Sequence, residues 1–461
     1  MEQLFAGLAP AFKRPKDFAR ARQLWLAGLL NLGRHTITGS LTTSGQQHHD
    51  WSAAYRALQR LPTPQVLSYL QQQTLARTTG PWVIAMDDSC TRKTGRRIPG
   101  CAWRRDPLSP PFHVNFIWGQ RVLQFSAALP TGDRAARLVP VDWTELPSPQ
   151  KPGSRATPEQ TQAYLEAKRQ SNVNVVAVER LKQLRQATDR DLHVVGDGRF
   201  TNRTVLRQLP EKTVLIGRIR RDTQLYAACS ALQRNGRPRR YGTALPTPES
   251  LRTDDTFPWQ RVKVRAADQE HELRVKVMRP VMARITGVAQ QVQVVVIAPV
   301  GYRLRQGGKV LYRKPAYLIC TAPDLDLATV VQEYIWRWDI EVNFRDEKTL
   351  LGVSEAQLRQ PDAVQHQPTN AVAAYAMLLL AAYDCYPDRT LPQTVPLPRW
   401  RQHAPPRRAT TALLINQLRA ELWATSIRRE SLSHFTASNP PSPKPDKPLT
   451  DLASALFHCH N

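Results

Sequence analysis

The protein has 461 residues, of which 64 are Lys or Arg and 38 are Asp or Glu, so its formal charge is +26. This surplus opposes folding through self-repulsion and is not needed by an enzyme of small neutral metabolites. It indicates a polyanionic partner, with nucleic acid the first candidate and an anionic membrane surface the second. A hydrophobic content of 41% with 11 Trp excludes a chain that is disordered throughout.

Several features favour a cytoplasmic protein over a membrane protein. The longest apolar stretch, residues 371–383, is shorter than the ~20 residues that span a bilayer. No secretory signal is visible at the N-terminus. The six cysteines are scattered without metal-binding spacing, so free thiols are expected. Metal binding by the terminal His458, Cys459 and His460 is the weaker alternative to a frayed tail.

The first 75 residues are predicted to form a helical N-terminal domain. Apolar residues recur at helical spacing over 18–30 and, more weakly, over 51–61, with a polar loop over 36–45 between them.

An α/β unit is predicted over residues 76–226. The apolar run 82–86 resembles a central strand buried on both faces and ends at Asp87 and Asp88. A second strand, 192–196, ends at Asp197. In α/β sheets functional groups gather at such carboxyl ends. The other predicted elements are strands 113–118 and 122–128 joined by Gly119-Gln120, a Pro-rich loop 140–152, helices 173–184 and 201–209, and strand 213–219.

Three further segments complete the predicted organisation. Residues 227–321 are predicted to be a β-rich insertion, 322–390 the second part of the α/β core, and 391–461 a C-terminal helix and flexible tail. Within them we expect strands 262–264, 273–277, 292–297 and 316–319, helices 325–351, 370–383 and 411–423, and a disordered linker over 439–448.

The predicted helix 325–351 has a polar stripe. At about 100° per residue, one face displays Tyr334, Arg337, Glu341, Arg345 and Lys348. This stripe places one carboxylate among three cations and a phenol. A solvated face with i,i+4 ion pairs is the alternative interpretation.

Two strand-end carboxylates complement that stripe. Asp88 and Asp197, together with Glu341, could hold a pair of Mg²⁺ ions about 3.5–4 Å apart, because hard oxygen ligands suit this ion. Strand-end Asp residues are also common as turn or cap residues. The choice between Asp87 and Asp88 stays open, because successive strand residues face opposite sides of a sheet.

The spacing Tyr334-x2-Arg337-x3-Glu341-x6-Lys348 matches the Y-(2)-R-(3)-E-(6)-K signature. The chain therefore resembles the bacterial insertion-sequence transposases with a DDE active site that carry this signature. Segments 85–89 and 195–199 resemble the same group, so the resemblance covers roughly residues 80–385. It implies an RNase H-like mixed sheet interrupted by the β-rich insertion.

The resemblance also implies roles for individual residues. Asp88, Asp197 and Glu341 would be the catalytic, metal-binding acids. Tyr334, Arg337 and Lys348 would hold DNA phosphates, with Arg345 as a secondary DNA contact. The cofactor would be two Mg²⁺ ions, with Mn²⁺ as a substitute.

The expected activity is cleavage of transposon ends and transfer of the 3′-OH strand into target DNA. The partners would be double-stranded DNA, as terminal inverted repeats and as target, and a second copy of the chain in a synaptic homodimer. The N-terminal helices would read the repeats and the C-terminal helix would mediate dimerisation. The location would be the bacterial cytoplasm, at the nucleoid and not at a membrane.

Alternatives remain at two points. Some of the resembling transposases stack a flipped base on an aromatic residue of the insertion; Trp259, Tyr302 and Tyr312 are candidates, with sheet packing as the alternative. The whole protein could instead be a transposase-derived DNA-binding regulator without catalysis, or a two-metal DNA nuclease that cuts without joining.

Overall fold

The computed structural model describes most of the chain. It describes residues 1–461 except 107–108, 111, 133, 147, 229–240, 267–268, 306, 387–398, 404–408, 430–451, 453–454 and 456–461. The predicted linker 439–448 and the terminal His458, Cys459 and His460 lie outside the described residues.

A large mixed sheet is the centre of the fold. Its strands run in the order β2-β3-β1-β5-β6-β14-β11-β10-β7-β8, with β4 paired to β3 and β9 paired to β10, and β12 and β13 form a separate hairpin. The strands are β1 (Trp82–Arg92), β2 (Ala102–Arg105), β3 (Phe116–Pro130), β4 (Ala136–Leu146), β5 (Leu192–Gly196), β6 (Thr213–Arg218), β7 (Leu225–Tyr226), β8 (Ala244–Leu245), β9 (Gln260–Ala266), β10 (Gln269–Ala283), β11 (Gln291–Ile297), β12 (Gly301–Tyr302), β13 (Leu311–Tyr312) and β14 (Ala316–Cys320).

Helices cover both faces of this sheet. They are α1 (Glu2–Leu8), α2 (Pro15–Leu30), α3 (Ile37–Thr43), α4 (Ser52–Gln59), α5 (Thr63–Ala76), α6 (Pro158–Gln170), α7 (Val173–Gln186), α8 (Arg203–Leu206), α9 (Pro248–Thr253), α10 (Leu327–Trp336), α11 (Trp338–Thr349), α12 (Pro361–Cys385), α13 (Arg399–Gln402) and α14 (Thr411–Arg429). One face packs against α10, α11 and α12, and the other against α7 and α8.

Of the five N-terminal helices, the sequence predicts α2 and α4, does not single out α1 and α5, and assigns α3 to a loop. Thr36–Gly45 reads as a polar loop, whereas residues 37–43 are helical and Thr36 caps the helix by accepting a hydrogen bond from the Gly39 amide. Ser and Thr favour caps and turns, so a short helix made largely of such residues has no clear periodicity.

Strand β3 is longer than expected. Its 15 residues are continuous through Gly119, so the predicted two strands with a turn at Gly119-Gln120 are wrong. A Cβ atom at residue 119 would lie 2.1 Å from the carbonyl oxygen of Thr91 on β1. Gly119 therefore permits two strands to approach closely and does not form a turn.

Strand β4 replaces much of the predicted Pro-rich loop. Pro140 lies within β4, at the register shift where Ser126 pairs with it. A bulge of this kind tolerates the missing N–H of proline, so the loop prediction over residues 140–146 is wrong.

The β-rich segment 227–321 continues the main sheet. Strand β14 pairs antiparallel with β6, and β11, β10 and β7 follow from it. The four predicted strands correspond to β9, β10, β11 and β14. The division into domains stays a prediction.

The predicted helix 325–351 is two helices. Helix α10 ends at Trp336 and α11 begins at Trp338, with Arg337 between them. Among the described residues, no helix is long and apolar enough to cross a membrane.

Candidate active site

Strand register brings two carboxylates to the same edge of the sheet. Strands β1 and β5 are parallel, and Met86 is paired with Gly196. The next residues along the two strands, Asp87 and Asp197, therefore lie side by side. Ala85 and Val195, two positions earlier, pack in the same core cluster as α10 and α11. Because side chains alternate along a strand, Asp87 and Asp197 also point to the face that these helices cover.

A cavity of about 540 Å³ opens at this edge. Three acidic side chains from different elements line it, and we call it the acid cavity: Asp87 of β1, Asp197 after β5, and Glu341 of α11. Gly198, Thr201, Arg218, Ile219, Arg220, Ile285, Arg337 and Trp338 complete its lining.

Asp88 points to the other face of the sheet. Its Oδ2 atom accepts a hydrogen bond from Arg121 Nε at 2.7 Å, and its Oδ1 atom forms an ion pair with Arg199 Nε at 3.0 Å. Strand β1 does not end at this residue but continues to Arg92. The structure therefore does not bring the sequence-predicted Asp88 to Asp197 and Glu341, and the alternative, Asp87, takes that place.

Arg337 connects two of the three acids. Its Nη1 donates to Asp87 Oδ2 at 3.2 Å and its Nη2 to Glu341 Oε1 at 3.3 Å. The guanidinium carbon also lies 5.7 Å from the ring centroid of Tyr334. The residue is buried, and its position between α10 and α11 lets one planar group reach both β1 and α11.

A buried hydrogen bond attaches α10 to the strand that precedes Asp197. His193 Nδ1 lies 2.9 Å from Glu333 Oε2, and both side chains are buried. This pair joins the second residue of β5 to the middle of α10. It thereby fixes the helix that leads to Arg337 against the strand that leads to Asp197.

The surroundings of Asp87 favour its protonated form. Burial, followed by repulsion from Asp197, raises the pKa of Asp87 to about 7, against the opposing attraction of Arg337. For Arg337, burial opposes the charge, but Tyr334, Asp87 and Glu341 raise its pKa. Such perturbed groups in a cavity are typical of functional sites.

The three acids are suitable ligands for a hard divalent cation. Carboxylate oxygens are the ligands that Mg²⁺ prefers. The raised pKa of Asp87 reflects its burial first and repulsion from Asp197 second, and a bound cation would offset both. In the described part of the chain, no three His, Cys, Asp or Glu side chains already stand close enough to share one ion. Arg337 occupies oxygens of two acids, and Glu341, 39% exposed, has room to reorient.

The other residues of the predicted stripe have different surroundings. Lys348 Nζ donates to Ser89 Oγ at 2.6 Å, on the face of β1 that carries Asp87, and burial lowers its pKa. Tyr334 is partly buried, and burial raises its pKa. Arg345 is largely exposed and pairs with the neighbouring Asp346 at 2.9 Å. The structure brings Arg337, Glu341 and Lys348 to β1, but not Arg345.

Among the residues of the cavity wall that sequence reasoning missed, two are arginines and one is a tryptophan. Arg218 is the last residue of β6 and Arg220 lies two residues beyond it, and Trp338 begins α11 with 57% of its surface exposed. The signal for the two arginines was their place at the carboxyl end of a third parallel strand. Trp338 follows Arg337 directly, but it lies outside the spaced signature.

The three candidate stacking aromatics of the insertion do not line the acid cavity. Trp259 packs beneath Lys276 and Arg274, whose charged groups lie 4.7 and 5.3 Å from its ring centroid. Tyr302 and Tyr312 belong to the separate hairpin of β12 and β13. Their proposed role in base stacking stays a prediction.

Comparison with known families identifies the protein class. Residues 7–273 match the family described as DDE superfamily endonuclease, so the chain belongs to that family. No curated protein matches the chain. The match includes Asp87 and Asp197 but ends within β10, before Glu341.

Membership and sheet order together confirm the predicted RNase H-like α/β fold, in which β4, β3 and β1 are antiparallel and β5 and β6 run parallel to β1. The family consists of nucleases that act on DNA and generally use divalent metal ions.

Proposed function

We propose that the protein is a DNA transposase that cleaves transposon ends and transfers the released 3′-OH strand into target DNA. The observation that carries the proposal is the convergence of Asp87, Asp197 and Glu341, from three elements, on one cavity with Arg337. The spaced signature Tyr334, Arg337, Glu341 and Lys348 supports a transposase in particular, beyond the broader class of DNA nucleases.

In this proposal Asp87, Asp197 and Glu341 are the metal-binding acids, and Asp87 replaces Asp88 in the assignment made from sequence. Two bound Mg²⁺ ions, or Mn²⁺ in their place, would supply an activated attacking oxygen and a stabilised leaving oxygen. Asp87 must give up its proton to serve as a ligand, and Arg337 assists because it favours the carboxylate form.

Cationic residues around the cavity would hold the DNA. Arg218 is exposed at the cavity wall, and Lys348 lies on the same face of β1. Arg337 and Tyr334 would contact a phosphate from the cavity floor, and Arg345 would be a secondary contact on the surface. Terminal inverted repeats and target DNA are the proposed substrates, and a synaptic homodimer in the bacterial nucleoid is the proposed assembly.

Replacement of Glu341 tests the reaction. We expect Glu341→Gln to abolish Mg²⁺-dependent cleavage of the element's own ends, because one metal ligand is lost, while binding to those ends is retained. Asp339→Asn is the matched control, since Asp339 is a carboxylate of the same helix that does not line the cavity. Full cleavage by Glu341→Gln would contradict the proposal.

A strand-transfer assay separates the proposal from the two alternatives. A transposase yields covalent donor–target products, a nuclease yields cut ends without joined products, and a DNA-binding regulator yields neither. The three acids around one cavity favour a catalytic protein over a regulator.

A further inference from the structure

A two-stranded ribbon, made of β2 and the start of β3, displays aromatic side chains to solvent. Trp103 lies opposite Trp118, and Arg105 lies opposite Phe116. Residues directly opposite in an antiparallel pair share a face, so these four side chains form one surface, which we call the ribbon face. Trp103 is 57% exposed and Phe116 is 62% exposed.

The ribbon face lies on the same side of the sheet as the acid cavity. Asp87 is paired with Gln124 of β3, and every second residue of a strand faces the same side, so Gln124 and Trp118 share a face. The distance along β3 between these two residues is about 20 Å at 3.4 Å per residue. Lys348 Nζ, held at Ser89, lies on this side between them.

The charge of the ribbon indicates a polyanion as its partner. Residues 92–121 contain seven Lys or Arg and a single Asp. Of these cations, Lys93 is buried, Arg92 pairs with Asp106, and Arg104 and Arg121 point to the opposite face. The Arg96 guanidinium carbon lies 4.7 Å from the Trp103 ring centroid and 5.2 Å from that of Trp118. Arg97 and Arg105 are exposed and form no ion pair with a described carboxylate. A second copy of this chain, at +26, would be repelled here.

Aromatic rings beside arginine are the means by which proteins bind unpaired nucleotides. Each ring can stack on a base, whereas the bases of an intact duplex already stack on one another and present only their edges and phosphates. The exposed edge strand of the ribbon is anchored on its opposite face by Arg104, which donates to the carbonyl oxygens of Gly119 and Leu146. The backbone that carries the aromatic residues is therefore held by these hydrogen bonds before any ligand binds.

We propose that the ribbon face binds unpaired bases of a DNA strand that leaves the acid cavity. Trp103 and Phe116 stack on bases, and Arg96 and Arg105 neutralise neighbouring phosphates. The path of the DNA strand from the acid cavity to the ribbon face rests on the proposed function, because that function places DNA in the cavity. The stacking contact itself requires no cleavage.

The test uses the full-length protein without metal and three fluorescent ligands of about 12 nucleotides. These are oligothymidine, an abasic oligomer with the same number of phosphates, and a duplex. We expect the double variant Trp103→Ala/Phe116→Ala to bind oligothymidine at least about fivefold more weakly than the wild type, with little change for the abasic oligomer. Trp103→Phe should retain binding, because its ring can still stack.

Trp400→Ala is the matched control, since Trp400 is 81% exposed on a different element, α13. Unchanged oligothymidine binding by the double variant, or equal wild-type affinity for the abasic oligomer, would overturn the proposal. So would a wild-type dimer that dissociates in the double variant while DNA binding persists. Thermal melting of the double variant and of Trp400→Ala establishes that both proteins fold.

Cleavage of duplex ends is measured on the same preparations with Mg²⁺. Wild-type cleavage without selective oligothymidine binding would refute the ribbon proposal and leave the transposase proposal intact. Selective binding of oligothymidine without wild-type cleavage would support the ribbon proposal and contradict the transposase proposal.

Discussion

Asp87 and Asp88 are neighbours on β1 with opposite surroundings. Asp87 faces another carboxylate and a cavity, whereas Asp88 is held between Arg121 and Arg199. The sequence shows that an acid lies at this position in the chain, but it does not show which face of the sheet α11 covers. Only that packing decides which of the two carboxylates meets Glu341.

The two aspartates should respond differently to the same substitution. We expect Asp87→Asn to reduce metal-dependent DNA cleavage by a factor of about 10³ or more, because it removes a proposed metal ligand. Asp88→Asn should retain cleavage well above that level, although loss of two ion pairs will reduce its stability. Single-turnover cleavage assays on folded protein measure both, and an inactive Asp88→Asn beside an active Asp87→Asn would restore the assignment made from sequence.

The raised pKa of Asp87 also predicts a pH-dependent stability. In the unfolded chain its pKa is near 3.8, and in the folded protein it is about 7. Between these values the folded state holds the proton more tightly, so rising pH lowers the free energy of unfolding until the loss is complete above about 7. The largest loss from this group is about 4 kcal/mol.

The Asp87→Asn variant has no carboxyl group to ionise at this position, so it avoids this fall in the free energy of unfolding at high pH. We expect metal-free Asp87→Asn to melt at a higher temperature than the wild type at pH 8 and at nearly the same temperature at pH 4. Added Mg²⁺ should stabilise the wild type more than the variant, because the ion binds the ionised carboxylate. Glu347, fully buried with its pKa raised to about 8 by burial, is present in both proteins and cancels in the comparison. Equal melting temperatures at pH 8 would contradict the prediction.

At the scale of elements, the break at Arg337 divides the predicted polar stripe between two helices, α10 and α11. The 3.6-residue period correctly predicted that Arg337, Glu341 and Lys348 share a side. It did not predict the separation of α10 from α11, because no Pro or Gly marks it. The contact of Arg337 with Asp87, which is remote in sequence, accompanies that break, and Tyr334 of α10 lies beside the same guanidinium.

Gly119 provides a test of the long strand β3. Its replacement by Ala brings a methyl group against the Thr91 carbonyl oxygen, so the two strands must separate. We expect Gly119→Ala to lower the free energy of unfolding by about 1–3 kcal/mol, as measured by urea denaturation. Gly132→Ala is the control, since nothing lies within 4 Å of its added Cβ and its stability should be almost unchanged. Equal stability of the two variants would contradict the close approach of β1 and β3.

At the scale of the molecule, the buried apolar runs, which the sequence displays directly, predicted that β1, β5 and β6 are strands, but not that they are neighbours in this order. The continuation of the sheet from β6 into β14 did not follow, because alternating strands carry no record of which neighbour they pair with. The same limit applies to the site. Its residue types were predictable, but the face that each one occupies depends on pairing between distant segments.

The charge of +26 predicts salt-dependent DNA binding. Each neutralised phosphate should contribute about −0.9 to the slope of log K against log salt, so contact with six phosphates gives a slope of about −5. Titration of the full chain with a labelled duplex between low and physiological salt measures this slope. A nearly flat response would mean that the charge serves another purpose.

The position of α11 late in the chain has a consequence for protein synthesis. A ribosome completes β1 and β5 long before it reaches Glu341, and the strands β7 to β14 are made in between. Asp87 and Asp197 can therefore meet in a nascent sheet that still lacks its third acid. A chain interrupted before α10 would expose the apolar side chains that α10 and α11 cover, which chaperones and proteases recognise. Under the proposed assignment of the three acids, such a chain could not cut DNA, and nuclease competence would be acquired only when the last of the three elements folds.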